Sequence, residues 1–119
     1  MTGVIATSSD VVYDDGILRI TRIQPPADSL ALAGEADETG YQPLVAALSQ
    51  LPRGNDSGLA EVHLDLSRLV FCDAAALHAM IAAVADGSRR VVLHQPAAPL
   101  RALLRITGWD ELPGLQVMM

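Results

Sequence analysis

After Tyr41 the hydrophobic pattern of the chain keeps changing period. Tyr41, Leu44, Val45 and Leu48 fall at i, i+3, i+4 and i+7, which is one face of a helix. Val62, Leu64 and Leu66 then alternate with His63 and Asp65, the period of a half-buried strand. Leu77, Met80, Ile81 and Val84 return to helical spacing, and Val91 to His94 is a compact β run. Leu100, Leu103, Leu104 and Thr107 mark a third helix closed by Gly108, and Leu115 to Met118 fits a last strand. A chain that alternates in this way is held to right-handed crossovers and a sheet with helices packed on it. The residues ahead of Tyr41 read differently. Val11 to Tyr13 and Ile17 to Ile23 are β-rich runs around Asp14-Asp15-Gly16. The Asp-Gly step signals a hairpin, because both residues tolerate positive φ. Pro25-Pro26 stops the second run, and Ser29 to Ala33 gives a third with Leu30 and Leu32 on one face. The expected fold class is α/β: a mixed sheet, antiparallel at its N-terminal strands, with about three to four helices against it.

The 119 residues suit one domain, expected over 11–119 behind a loose tail of small and polar residues over 1–10. Only 3% of residues are aromatic, so the core must come from Leu, Val, Ile and Ala. Two starts compete for the first helix. Thr39 with Gln42 fits a capping box, whereas Pro43 suits the first helical position. The polar run Pro52 to Gly58 ends that helix, Asp73 is placed to cap the second, and Asp86-Gly87-Ser88 ends it. Fourteen acidic residues stand against eight basic ones, all Arg, for a net charge of −6. Arg89-Arg90 is the nearest thing to a basic patch, so no nucleic-acid partner is expected. The longest nearly apolar run, Ala74 to Ala85, is interrupted by His78 and falls short of the roughly 20 residues of a membrane span. The N-terminus does not read as a signal peptide. A single cysteine, Cys72, excludes an intrachain disulfide, and a cytoplasmic setting without membrane contact is expected.

The stretch Leu64-Asp65-Leu66-Ser67-Arg68-Leu69-Val70-Phe71-Cys72-Asp73-Ala74-Ala75-Ala76-Leu77 resembles the STAS domain family, the anti-sigma factor antagonists and their relatives. Their signature is a strand ending in Asp-Leu-Ser, a short apolar stretch, then Asp-Ser-Ser-Gly-Leu opening a helix. Leu32-Ala33-Gly34-Glu35-Ala36-Asp37 resembles the family's Gly-Glu-x-Asp turn before its first helix. Val91 to Pro96, followed by Leu103 to Gly108, resembles its closing strand and helix. The resemblance spans residues 17 to 118. It implies a partner surface made of the turn Gly34, Glu35 and Asp37, with Asp73, Ala74, Ala75, Ala76, His78 and Ala79 of the second helix. The implied partner is an anti-sigma factor of the histidine-kinase-like ATPase class or another STAS-domain signalling protein, and a homodimer is a further possible assembly. In phosphorylatable members the second serine of Asp-Ser-Ser-Gly is the acceptor. Here Ala75 stands at that position, with no oxygen to phosphorylate. The usual switch adds about −1.5 to −2 charges, and this chain has no means of adding them there.

Other residue types invite chemistry, and each has a plainer reading. Cys72 precedes a helix N-terminus, where a thiolate can be stabilised and His63, His78 or His94 could act as base. The family puts an aliphatic residue there, and a free Cys is commonly a small buried hydrophobe. The three histidines lie 15 and 16 residues apart, which is no metal-ligand spacing, so no metal is expected. Glu35 and Asp37 suit a solvated turn and a helix cap better than a catalytic pair. Trp109, the only Trp, is expected to cover the end of the core. No Walker-type phosphate loop is present. Ala75, His78, Ala79 and Ala82 form an almost uncharged face of the second helix, opposite Leu77, Met80, Ile81 and Val84. The expectation is therefore a non-catalytic binding module without cofactor, acting in a sigma factor partner switch. The alternatives are a STAS scaffold or sensor-associated domain, and a small-ligand or nucleotide-binding domain with His63 or His94 in a polar pocket at strand ends.

Overall fold

A computed structural model describes residues 8–24, 29–51, 60–85 and 89–118. Strands β1 (Ser8–Asp14), β2 (Leu18–Gln24) and β3 (Ser29–Ala36) come first. Then follow α1 (Tyr41–Ser49), β4 (Ala60–Cys72), α2 (Ala74–Ala85), β5 (Arg89–His94), α3 (Ala98–Thr107) and β6 (Leu115–Met118). The six strands form one sheet in sequence order. The β1–β2 and β2–β3 pairs are antiparallel; β3–β4, β4–β5 and β5–β6 are parallel. Because each parallel step moves to the next neighbour in the same direction, right-handed crossovers put all three helices on one face.

Burial agrees with that topology. Leu18, Ile20, Leu30, Leu32, Val62, Leu64 and Leu93 from the sheet meet Leu44, Leu77, Met80 and Leu104 from the helices in one buried cluster. Each buried Leu contributes roughly 1.5–3 kcal/mol, so an aromatic-poor chain holds its core with aliphatic layers. Arg89 is the one buried charged residue among those described, and its Nη2 donates to the Leu51 carbonyl at 2.7 Å. This bond ties the start of β5 to the end of α1.

The hairpin expected at Asp14-Asp15-Gly16 is present, with Gly16 at a φ of 86°. Asp14 Oδ1 accepts from the Gly16 N–H, and Asp15 Oδ1 from those of Ile17 and Leu18. Two expectations need correction. β1 begins at Ser8, so strand takes in the last residues of the expected tail. Neither start proposed for α1 is used. Asp37 caps a 3-10 turn over Glu38–Gly40 by accepting from the Thr39 N–H, α1 then starts at Tyr41, and Pro43 is its third residue. The tail over 1–7, the prolines 25 and 26, the 52–58 loop and the 86–88 helix stop lie outside the described residues.

β4 runs well beyond the alternating stretch. Its pairing with β3 shifts between Ala31 and Ala33 and again between Gly34 and Glu35, each time inserting one extra residue on β4. The first bulge breaks the alternation after Leu66 and brings Leu69 to the core, and the second falls between Leu69 and Phe71. β5 stops pairing at Asp65–His94, so the last seven residues of β4 have β3 on one side only.

Candidate functional site

β3 and β4 end side by side, Ala36 opposite Cys72, and the Asp73 N–H donates to the Ala36 carbonyl at 3.1 Å. This register delivers the Gly34–Asp37 turn and the first turn of α2 to one edge of the molecule. Gly34 has a φ of +99°, and a Cβ there would collide with the Ile17 carbonyl. The Ile17 carbonyl also accepts from the Glu35 N–H at 2.9 Å, so the turn lies tight against the hairpin loop. Asp73 Oδ1 accepts from the Ala76 N–H at 2.8 Å, and its carbonyl accepts from the Leu77 N–H. Asp73 is thus the N-cap anticipated from its position, filling one of the helix's unpaired donors.

The side chains divide by exposure. Glu35, Ala74, Ala75 and His78 are exposed, and Gly34, Asp37, Asp73 and Ala79 are partly covered. Ala76 is fully buried and belongs to the core, so it offers no contact surface: at the third helical position its methyl turns under the helix. His78 lies over Trp109 with ring centroids 5.6 Å apart, and Trp109 packs on the core. Asp37 spends one carboxylate oxygen on its cap, which supports the plain reading of that residue.

Cys72 does not suit nucleophilic chemistry. Burial and the neighbouring Asp73 carboxylate push its thiol up to about 12, so the thiolate is scarce at neutral pH. Its Sγ lies 3.4 Å from the Asp73 carbonyl, in donor geometry.

Two features escaped the sequence reading. Val70, Phe71 and Ile106 are exposed apolar residues, at 70%, 49% and 82%. With Leu69, Pro99 and Leu103 they line a cavity of about 310 Å³ between β4 and α3, next to the α2 tip. The apolar Val70-Phe71 pair directly before Cys72-Asp73 was the available signal. The second feature is a contact between His63 and His94, 31 residues apart in sequence, on the sheet face away from the helices.

The model of the family described as "Mlab, STAS domain" matches residues 21–117. The chain belongs to the STAS domain family. Among solved structures, this STAS domain is similar to the anti-sigma factor antagonist SpoIIAA in its unphosphorylated form. That match has a TM-score of 0.56 at 16% identity and covers 86% of this chain and 87% of the other. An anti-sigma factor antagonist from Mycobacterium paratuberculosis matches with a TM-score of 0.56 at 20% identity, covering 93% of this chain and 86% of that one. No curated protein matches in sequence. The expected mixed α/β STAS fold is therefore present, and no helix among the described residues is long and apolar enough to cross a membrane.

Proposed function

We propose that this STAS domain is a non-catalytic protein-binding module whose partner docks on the exposed tip of α2 and the Glu35 turn beside it. The observation that carries the reading is the tip itself: Ala74 and Ala75 stand exposed on a capped helix start, flanked by the exposed Val70, Phe71 and Ile106. Methyl side chains let a partner backbone approach closely, and the apolar hollow adds buried area at the same edge. The likeness to anti-sigma factor antagonists suggests an anti-sigma factor of the histidine-kinase-like ATPase class as partner, with release of a sigma factor as the outcome. Ala75 takes the acceptor position, so the domain binds as a permanently unphosphorylated member would.

A second reading has its own support. A helix tip with no hydroxyl over 74–76 suits a scaffold subunit that holds another STAS or signalling chain constantly. Calorimetric titration against the ATPases and STAS proteins of the same genome separates the two. The first reading predicts tight binding to an ATPase, weakened at least tenfold by Ala75→Glu. Binding to STAS chains alone selects the scaffold, and an unchanged affinity for Ala75→Glu puts the interface elsewhere.

A further inference from the structure

The sheet face opposite the helices carries a polar cluster that the docking surface does not use. His63 Nδ1 and His94 Nε2 lie 2.7 Å apart. The ring centroids are 5.0 Å apart with planes 22° from parallel. The nitrogen gap and one ring radius on each side account for that whole separation, so the imidazoles meet edge to edge, nitrogen facing nitrogen. The other nitrogen of His63, Nε2, is 3.0 Å from Glu61 Oε1. One proton arrangement satisfies both contacts with neutral rings: His63 donates Nε2–H to Glu61, and His63 Nδ1 accepts from His94 Nε2–H.

We propose that His63 and His94 form a two-imidazole clamp for a borderline divalent transition-metal ion such as Zn²⁺, Ni²⁺ or Cu²⁺. A carboxylate that holds one imidazole N–H fixes the tautomer and orientation of a metal-binding histidine, and Glu61 is placed to do this for His63, whose other nitrogen faces His94 Nε2. The ion takes the place of the proton between the rings: His94 gives its Nε2 proton to water and takes one from water at Nδ1, so both imidazoles bind as neutral ligands, and the ion gives up two of its own waters. Two metal–nitrogen bonds of about 2.0–2.1 Å at a tetrahedral angle need the nitrogens roughly 3.3 Å apart. Rotation of the two partly exposed rings, turning their facing nitrogens toward one point beside the present contact, supplies that opening. The rings border a cavity of about 460 Å³ open to solvent, shared with Ser29, Asp65 and Gln95. Gln95 is the one non-glycine residue at positive φ among those described, and its N–H donates to the Met118 carbonyl at 2.7 Å. This bond pins the end of β5 where His94 sits. No group of three His, Cys, Asp or Glu side chains among the described residues is placed to hold a metal ion together, so water completes the coordination shell.

Calorimetry of the full chain with ZnCl₂, NiCl₂, CuCl₂ and MgCl₂ tests this. One-to-one saturable binding is expected for the first three, tightest for Cu²⁺, and none for Mg²⁺. His63→Ala and His94→Ala each remove it, His78→Ala leaves it intact, and Glu61→Gln weakens it about 10- to 100-fold. In the wild-type chain, Zn²⁺ shifts the ring proton resonances of His63 and His94 and spares those of His78, which keeps the test independent of how the variants fold. Absence of saturable binding, binding that survives His94→Ala in a folded variant, or ring shifts confined to His78 would overturn the clamp.

Discussion

Gly34 shows how one residue fixes the candidate surface. Its positive φ and the Ile17 carbonyl against its α-carbon leave no room for a side chain. Gly34→Ala is expected to cost about 1–3 kcal/mol, read as a lower urea midpoint; an unchanged midpoint would show that the turn relaxes freely. The hairpin aspartates give a pH signature. Asp14 is held below the usual carboxylate range first by the Gly16 N–H and then by Arg19, and Asp15 first by the Leu18 N–H and then by that of Ile17. Both folded-state values lie below the ordinary 3.8, so their stabilisation is complete above that value and is lost as pH falls through the lowered ones. Hydrogen-exchange protection of the loop amides should decline as the pH falls below the ordinary carboxylate value of 3.8 and through the lowered ones. The Asp14→Asn/Asp15→Asn variant should lack that decline, and a flat wild-type profile would contradict the assignment.

At the level of elements, the joints matter more than the strands and helices themselves. Arg89 joins the start of β5 to the end of α1 through the Leu51 carbonyl. Arg89→Met should cost about 1.5–3 kcal/mol, the worth of a hydrogen bond to a charged group. Equal stability of the two proteins in urea would mean the contact is idle. What was legible in the sequence follows the same division. Periodicity and short β-rich runs gave the existence of the six strands and three α-helices described, because a buried face repeats its apolar residues, and the Asp-Gly step gave the hairpin. Boundaries were harder. Thr39 and Pro43 each carried a valid local rule for starting α1, yet Asp37 capped a 3-10 turn ahead of it, and the core position of Leu44 set the helix. The end of β4 was hidden by two bulges that only its pairing with β3 creates. Ala76 read as surface beside Ala75, although one step of helical rotation carries it under the helix. The meeting of His63 and His94 depends on β4–β5 register, which no local pattern records.

Across the whole molecule, a sheet in sequence order with all helices on one side divides the surface into distinct regions. The edge where β3 and β4 finish carries the α2 tip, the Glu35 turn and the apolar hollow, while the open sheet face carries the histidine pair. Fold and family were readable because three motifs recur in order over most of the chain, and the family match over 21–117 agrees. The contact surface was only partly readable, since exposure belongs to the assembled sheet. In the proposed function, a helix tip without hydroxyls docks a partner and is not released by phosphorylation. A nitrogen-15 NMR titration of the chain with a candidate histidine-kinase-like ATPase of the same genome, run with and without ATP, tests this directly. The account predicts amide shifts concentrated at Glu35, Ala74, Ala75 and His78 and the same footprint after prolonged incubation with ATP. A footprint on the β1–β2 hairpin with the α2 tip silent, or a complex that ATP dissolves, would contradict it.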